Sequence, residues 1–379
     1  MSRAPVVTGR LEANERFFAE RAGDVARLCH AMAERFARGG RLIAFGADAA
    51  DRSDVRHVAV EFVHPVIVGK RALPAIGLDP EAVALVREPD DIAIAFGEGA
   101  AVAAAVADAR GAGCLTIAFR EVGAEWTFVP PTADPLIAQE LAETLYHVLW
   151  ELVHVFFDHL PGHGLGTGAS SFLYPFLGEQ ETDLSAVLDD VRASALAKAA
   201  EIGALREQTL SENADVIAAA AAALGACFDA GGQLLALGNG GSATDAMDVV
   251  ADFRAPVVDR PARAAIDLSE DAAIITAVAN DVGVEAIFAR QVIAHGGPGD
   301  AVLALSTSGN SGNVIAALGE ARRRGLLTIA MVGYDGGRVA HEELADHVVI
   351  TRSQHIPRIP EAQASAWHVL RELLERAGP

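Results

Sequence analysis

The segment Phe36-Ala-Arg-Gly-Gly-Arg-Leu-Ile-Ala-Phe-Gly46 returns 192 residues later as Phe228-Asp-Ala-Gly-Gly-Gln-Leu-Leu-Ala-Leu-Gly238. Each version runs from a Gly-Gly turn through four aliphatic or aromatic residues to a further glycine, which reads as a turn, a buried strand and a second turn. The echo continues downstream. Leu115-Thr-Ile-Ala118 answers Leu327-Thr-Ile-Ala330, and Glu140…His147-Val-Leu-x-Glu-Leu152 answers Glu361…His368-Val-Leu-x-Glu-Leu373. The last pair is offset by 221 residues, so the second copy carries insertions. Self-similarity on this scale marks a duplicated structural unit. The copies are expected over residues 10–160 and 183–379, joined by a linker, 161–182, that opens with Pro161-Gly-His-Gly-Leu-Gly-Thr-Gly168.

Within each copy, short aliphatic runs alternate with helical patterns. In the second copy the runs are Gln233–Leu237, Ala262–Asp267, Ala301–Leu305, Leu327–Val332 and His347–Ile350. Strand and helix alternating at this spacing build a parallel sheet with helices on both faces. Ser211-Glu-Asn-Ala reads as a capped helix start before the first of these strands, and the last helix is expected to follow Pro357 and Pro360. The fold class is therefore α/β, as two tandem domains.

Composition narrows the function. The chain has 379 residues, 51% hydrophobic but only 6% aromatic, enough for sizeable aliphatic cores and unlike a disordered segment. A formal net charge of −21 excludes the broad cationic surface on which most nucleic-acid binding depends. A local anion site need not follow the global charge, so a small phosphorylated ligand stays compatible. Cys29, Cys114 and Cys227 form neither a CxxC pair nor an even framework and read as free thiols in a reducing cytosol. The opening Met1-Ser-Arg-Ala-Pro5 has no apolar signal-peptide core. The longest strongly apolar stretch, Val216–Phe228, is 13 residues, short of the roughly 20 a membrane span needs. The expectation is a cytoplasmic protein with neither membrane nor nucleic acid as partner.

Two turns of the second copy can hold a phosphate. After Leu237 comes Gly238-Asn-Gly-Gly-Ser-Ala-Thr-Asp245, and after Leu305 comes Ser306-Thr-Ser-Gly-Asn-Ser-Gly-Asn313, each leading into a helix. Strand, glycines or hydroxyls, then helix is the arrangement that points free N–H groups at an anion. Two such turns at the carboxyl ends of parallel strands mark a binding crevice. With only Lys70 and Lys198 in the chain, neither in the required pattern, a Walker A loop is ruled out, and the glycines do not fall as GxGxxG.

GNGGSATDAM, Arg260-Pro261, Asn280-Asp281 and STSGNSGNVIAA together resemble the sugar isomerase (SIS) domain of phosphoheptose isomerases, across nearly the whole second copy. The resemblance implies two tandem SIS domains, each a flavodoxin-like three-layer sandwich. It also implies a ligand: a heptulose or heptose 7-phosphate. Its contacts would be Asn239, Gly240, Gly241 and Ser242, then Asn280 and Asp281, then Ser306, Thr307, Ser308 and Ser311. In that family the helix after the glycine turn carries a His and, four residues on, a Glu. The C-terminal helix carries a Gln and, eight on, a His, and these four bind zinc at the reacting carbons.

The second copy departs from that pattern and the first keeps it. At the four positions the second copy has Asp248, Asp252, Pro360 and His368, so its metal site is expected to be lost. The first copy has lost its phosphate turns, which read Gly46-Ala-Asp-Ala-Ala-Asp51 and Gly97-Glu-Gly-Ala100. Yet it retains His57 and Glu61 at i, i+4, on one helix face, and Gln139 and His147 at the eight-residue interval. A helix rises 1.5 Å per residue, so such a His lies roughly 15 Å from the phosphate end of its own helix. The two halves are therefore expected to share one composite site. His57, Glu61, Gln139 and His147 would hold one Zn2+ per chain, and the second copy would hold the phosphosugar.

By the resemblance the reaction is aldose–ketose isomerisation of sedoheptulose 7-phosphate to a D-glycero-D-manno-type heptose 7-phosphate through an enediol, with Glu61 and His147 as the proton-transfer groups. An arginine that family members carry four residues past the Glu is replaced here by Pro65. Relatives assemble four SIS domains, which a homodimer of tandem chains would supply. A non-catalytic phosphosugar sensor or partner-binding SIS protein is the alternative, and the retained His-Glu and Gln-His pairs argue against it.

Overall fold

Two five-stranded parallel sheets carry the chain, one for each copy of the repeat. They are seen in a computed structural model that describes residues 5–67, 70–157, 184–255 and 260–376. The chain divides into an N-terminal unit, Gly9–Gly203, and a C-terminal unit, Ala204–Pro379 together with Met1–Thr8.

In the N-terminal unit a long helix α1 (Pro5–Ala37), whose first residues belong to the other unit, precedes β1 (Leu42–Phe45), α2 (Ala49–Val63), β2 (Ala75–Leu78) and α3 (Pro80–Val86). Then come β3 (Ile92–Ala95), α4 (Ala100–Gly111), β4 (Leu115–Ala118), the short β5 (Trp126–Thr127) and α5 (Pro135–Phe157). The sheet runs β2-β1-β3-β4-β5, with Leu42 of β1 level with Ala75 on one side and Ile92 on the other. Every residue of β1, β3 and β4 is buried, as a parallel sheet covered on both faces requires.

The expected linker, 161–182, lies outside the described residues. The helix beyond it, α6 (Leu184–Glu212), places Val187, Val191, Ala195 and Ala199 in the core of the N-terminal unit. Those residues recur every fourth position, the stripe a helix lays on a core. The first half of α6 therefore packs within the N-terminal unit, and the two compact units divide after Gly203.

The C-terminal unit repeats the plan. After α7 (Ala214–Asp229) come β6 (Leu234–Leu237), α8 (Gly241–Arg254), β7 (Ala265–Asp267), α9 (Ala272–Asp281) and α10 (Ile287–His295). They are followed by β8 (Ala301–Ser306), α11 (Gly312–Arg323), β9 (Leu327–Gly333), α12 (Gly337–His341), β10 (His347–Thr351) and α13 (Arg358–Arg376). The five strands fall on the five aliphatic runs. The sheet order, β7-β6-β8-β9-β10, is that of the first sheet.

Two helix starts differ from expectation. Helix α13 begins at Arg358, so Pro360 lies inside its first turn. A first-turn N–H has no intrahelical acceptor, so a proline there costs nothing. At α7 the cap position is Asn213, not Ser211, whose hydroxyl donates to the Gln208 carbonyl as α6 ends. The Asn213 side chain forms no cap. Its Nδ2 donates to the Thr209 and Ile350 carbonyls and its Oδ1 accepts from the Ile350 N–H, tying the α6–α7 junction to β10. All three cysteines are buried free thiols. Among the described residues no helix is long and apolar enough to cross a membrane.

Candidate functional site

In each sheet the chain leaves two adjacent central strands in opposite directions, and a crevice opens at their carboxyl ends. In the C-terminal unit these strands are β6 and β8, and the crevice is walled by the two turns singled out in the sequence. The first turn is closed by glycines. Gly240 has φ 59°, left-handed, and a Cβ on Gly238 would stand 2.1 Å from the Ser242 carbonyl oxygen. In the second turn Gly309 has φ 62°, and its Cβ would stand 2.2 Å from the Gly336 carbonyl oxygen.

Side chains bind these turns to each other. Asn239 Nδ2 donates to Asn313 Oδ1 at 3.0 Å, and Asn313 Nδ2 returns a bond to Asn239 Oδ1 at 2.8 Å. The starts of α8 and α11, whose first N–H groups have no intrahelical partner, are thereby fixed side by side. Ser306 Oγ accepts from the Gly309 N–H and Ser308 Oγ from the Asn310 N–H, which leaves each hydroxyl its proton to donate. Ser311 holds the cap position of α11 without a side-chain capping bond, and Ser242 is buried in the first turn of α8. Thr307 is half-buried between Ser306 and Ser308. Asn280 and Asp281 stand apart from this pattern. They are exposed at the end of α9, a helix with no buried residue, and Asn280 Nδ2 donates to Asp281 Oδ1.

The matching turn of the N-terminal unit is already filled. Asp51 Oδ2 accepts from the N–H groups of Ala47 and Asp48 at 3.2 and 3.1 Å, where the start of α2 would receive an anion. The same oxygen lies 2.0 Å from the position a Cβ on Gly97 would take, so it also closes the turn after β3. The spacing that matches His57 to Asp248 matches Asp51 to Ser242: a carboxylate replaces a hydroxyl. Burial above all pushes the Asp51 carboxyl over the ordinary carboxylate range, and the N–H bonds pull it partly back.

The same unit brings predicted metal residues together in its interior. His57 on α2 and His147 on α5 are buried with their Nε2 atoms 3.3 Å apart. Glu61 Oε1 lies 4.0 Å from His57 Nε2. Beside them, the Tyr146 hydroxyl donates to Asp54 Oδ1 at 3.3 Å. Among the described residues a single group of His, Cys, Asp or Glu converges three donor atoms, within 4.8 Å of one another: His57, Glu143 and His147. Glu143 was not among the predicted residues, although it lies four before His147, the spacing of His57 to Glu61. Gln139 is half-buried a further turn back on α5, and its Oε1 is buried without a hydrogen bond.

Burial first, and His147 second, push His57 well below the ordinary histidine range, so its imidazole is neutral at pH 7. Imidazole nitrogens and a carboxylate are donors that zinc takes. Bonds of about 2.0–2.1 Å in tetrahedral array place two nitrogens about 3.3 Å apart. The residues present fit the ion.

The C-terminal counterpart is built differently. His368 Nε2 lies 3.9 Å from Asp248 Oδ2, and Arg371 Nε donates to Asp252 Oδ2 at 2.8 Å. Arg371 is wholly buried, stacks 4.5 Å over the Phe253 ring and also meets Glu375. Burial draws its pKa down while Asp252 opposes the shift. Asp252 thus carries a resident cation of its own, while Asp248 faces His368.

A family model described as SIS domain matches residues 199–333. The phosphoheptose isomerase of Chlorobaculum tepidum is 44% identical over 176 residues, which make up 45% of this chain and 83% of that protein. That of Desulfovibrio desulfuricans is 42% identical over 172 residues, 45% of this chain and 81% of its own. Two solved structures align with nearly the whole chain. They are the C-terminal domain of glucosamine-fructose-6-phosphate aminotransferase from Francisella tularensis (TM-score 0.62, 10% identity, 98% of this chain and 94% of that one) and tagatose-6-phosphate ketose/aldose isomerase from Escherichia coli (TM-score 0.57, 14% identity, 99% and 95%). At such identities the likeness is one of fold, and it shows two SIS-like domains in tandem. The close relatives, matched over more than four fifths of their length, show more than fold: the chain belongs to the phosphoheptose isomerase family.

Proposed function

We propose that this chain is an aldose–ketose isomerase of phosphorylated sugars, acting on sedoheptulose 7-phosphate at one composite site supplied by both units. The observation that carries this reading is complementary loss. Asp51 fills the anion turn of the N-terminal unit, and Arg371 pairs with Asp252 in the C-terminal unit. In this reading each unit has given up the function that the other keeps.

In this reading the turns at 238–242 and 306–311 bind the phosphate through N–H groups and hydroxyls, and their binding energy orients the sugar for a reaction several carbons away. The N-terminal unit supplies the proton chemistry. A carboxylate, Glu61, takes the proton from the carbon next to the carbonyl while His147 exchanges protons with the sugar oxygens, and the enediol so formed collapses to the aldose as Glu61 returns its proton to the former carbonyl carbon. The family pattern implies the alternative that Glu61 and His147, with His57 and Gln139, hold a zinc ion, which would then polarise the carbonyl as a Lewis acid in their place. A homodimer of such chains would bring together four SIS domains.

The test is turnover of sedoheptulose 7-phosphate by the full chain, with and without a chelator. We expect a heptose 7-phosphate as product, loss of activity on chelation, and at least about a 100-fold loss of kcat/KM in both His57→Ala and Ser308→Ala. Binding of the sugar phosphate without turnover would overturn the reading in favour of a sensor.

A further inference from the structure

We infer that Glu143 is a metal ligand, forming with His57 and His147 a two-histidine, one-carboxylate set, and that Glu61 lies outside that set as the proton-transfer group. The inference deepens the proposed function and rests on its reading of the N-terminal unit as the metal-bearing half. Its starting point is convergence. The donor atoms that come within 4.8 Å of one another belong to His57, Glu143 and His147, whereas Glu61 is 4.0 Å from His57 and is not a member of the group. The three are buried to 3%, 1% and 0% exposure, so the side chains that would bind the ion are already held by packing.

Helix geometry explains the choice of carboxylate. Helix α5 buries three glutamates, Glu140, Glu143 and Glu151. Glu140 is turned toward α1, where it receives Arg10 Nε at 2.9 Å, and Glu151 toward α6, where it receives Lys198. Glu143 lies one turn before His147, on the same face of the helix, and reaches the two imidazoles. Gln139, by contrast, is eight residues or about 12 Å of helix axis from His147. One ion is more readily shared by residues one turn apart than two. A three-ligand zinc site leaves a fourth position for water or substrate, the arrangement of catalytic sites as opposed to structural ones.

The experiment measures zinc affinity of the substrate-free full chain by chelator competition, together with the melting temperature of each metal-free variant. Removing a mere outer-shell partner costs about 10–100-fold in affinity, so loss of a ligand in Glu143→Gln should weaken binding by about 100-fold or more, as should His57→Ala. Glu61→Gln and Gln139→Ala should each stay within about 10-fold of wild type, and Glu61→Gln should lose turnover with its metal in place. Wild-type affinity in Glu143→Gln, or stronger losses in Glu61→Gln or Gln139→Ala, would overturn the assignment. If Glu143→Gln does not fold, Glu61→Gln decides: zinc retained supports the set, zinc lost overturns it. Because affinity is read without substrate, a chain that binds zinc in this pattern yet turns over no sugar phosphate would sink the isomerase reading alone.

Discussion

Asp51 shows how one side chain can fill the turn at a helix start. The acids of Gly46-Ala-Asp-Ala-Ala-Asp51 were legible in the sequence as misplaced for an anion site. That one of them folds back to cap the N–H groups itself depends on the turn's geometry. Its carboxyl pKa is raised in the fold, chiefly by burial, with Asp48 raising it further and Arg120 lowering it. A raised carboxyl pKa means the folded state holds its proton to higher pH than the unfolded state. The stability it contributes is complete below the unfolded value and is lost as pH rises through the folded one. Asp51→Asn, which keeps an oxygen for the N–H groups but no charge, should therefore melt at or above the wild-type temperature at pH 7. The gap should shrink as the pH falls toward 3.8, the ordinary value for the group. A variant less stable at pH 7, with the gap widening as the pH rises, would contradict this account. Glu143 marks the opposite limit of legibility. Its spacing to His147 was plain, but which of three glutamates on one helix faces His57 is set by the helix's rotation against α1, α2 and α6.

At the scale of elements, periodicity located the strands because parallel strands buried on both faces are short continuous aliphatic runs. Helix ends were harder to read, since they depend on what a polar side chain finds in space. Asn213 serves β10 instead of capping α7, and Pro360 sits in the first turn of α13. The reciprocal bonds of Asn239 and Asn313 are of the same kind: each residue lies in a legible turn, but their pairing does not follow from either. Two amide bonds net about 0.5–1.5 kcal/mol each, so loosening the turns should raise the KM for sugar phosphate about 10-fold, with a smaller change in kcat. If the pair acts as a unit, Asn239→Ala, Asn313→Ala and the double variant should lose about equally. Additive losses would mean that each asparagine contacts the ligand on its own.

For the whole molecule, the duplication explains how a chain of net charge −21 can belong to a family of sugar-phosphate enzymes. The proposed anion site is a set of N–H groups and hydroxyls in one unit, where surface charge has little say. It also fixes the stoichiometry expected of the proposed site. A single functional SIS domain in duplicate would bind two sugars and two metals per chain. Here Asp51 occupies one anion turn and Arg371 is paired with Asp252, so on the proposed reading each chain should take up about one sugar phosphate by calorimetry and about one zinc by metal analysis. The two sites should also be separable. His57→Ala should lose zinc while still binding sugar phosphate within about 10-fold of wild type, because the phosphate turns lie wholly in the C-terminal unit. Ser308→Ala should bind zinc as wild type does while its sugar affinity falls. Two sugars or two zincs per chain would mean that the N-terminal turn or the C-terminal acidic pair still works, and the division of labour between the units would fall with it.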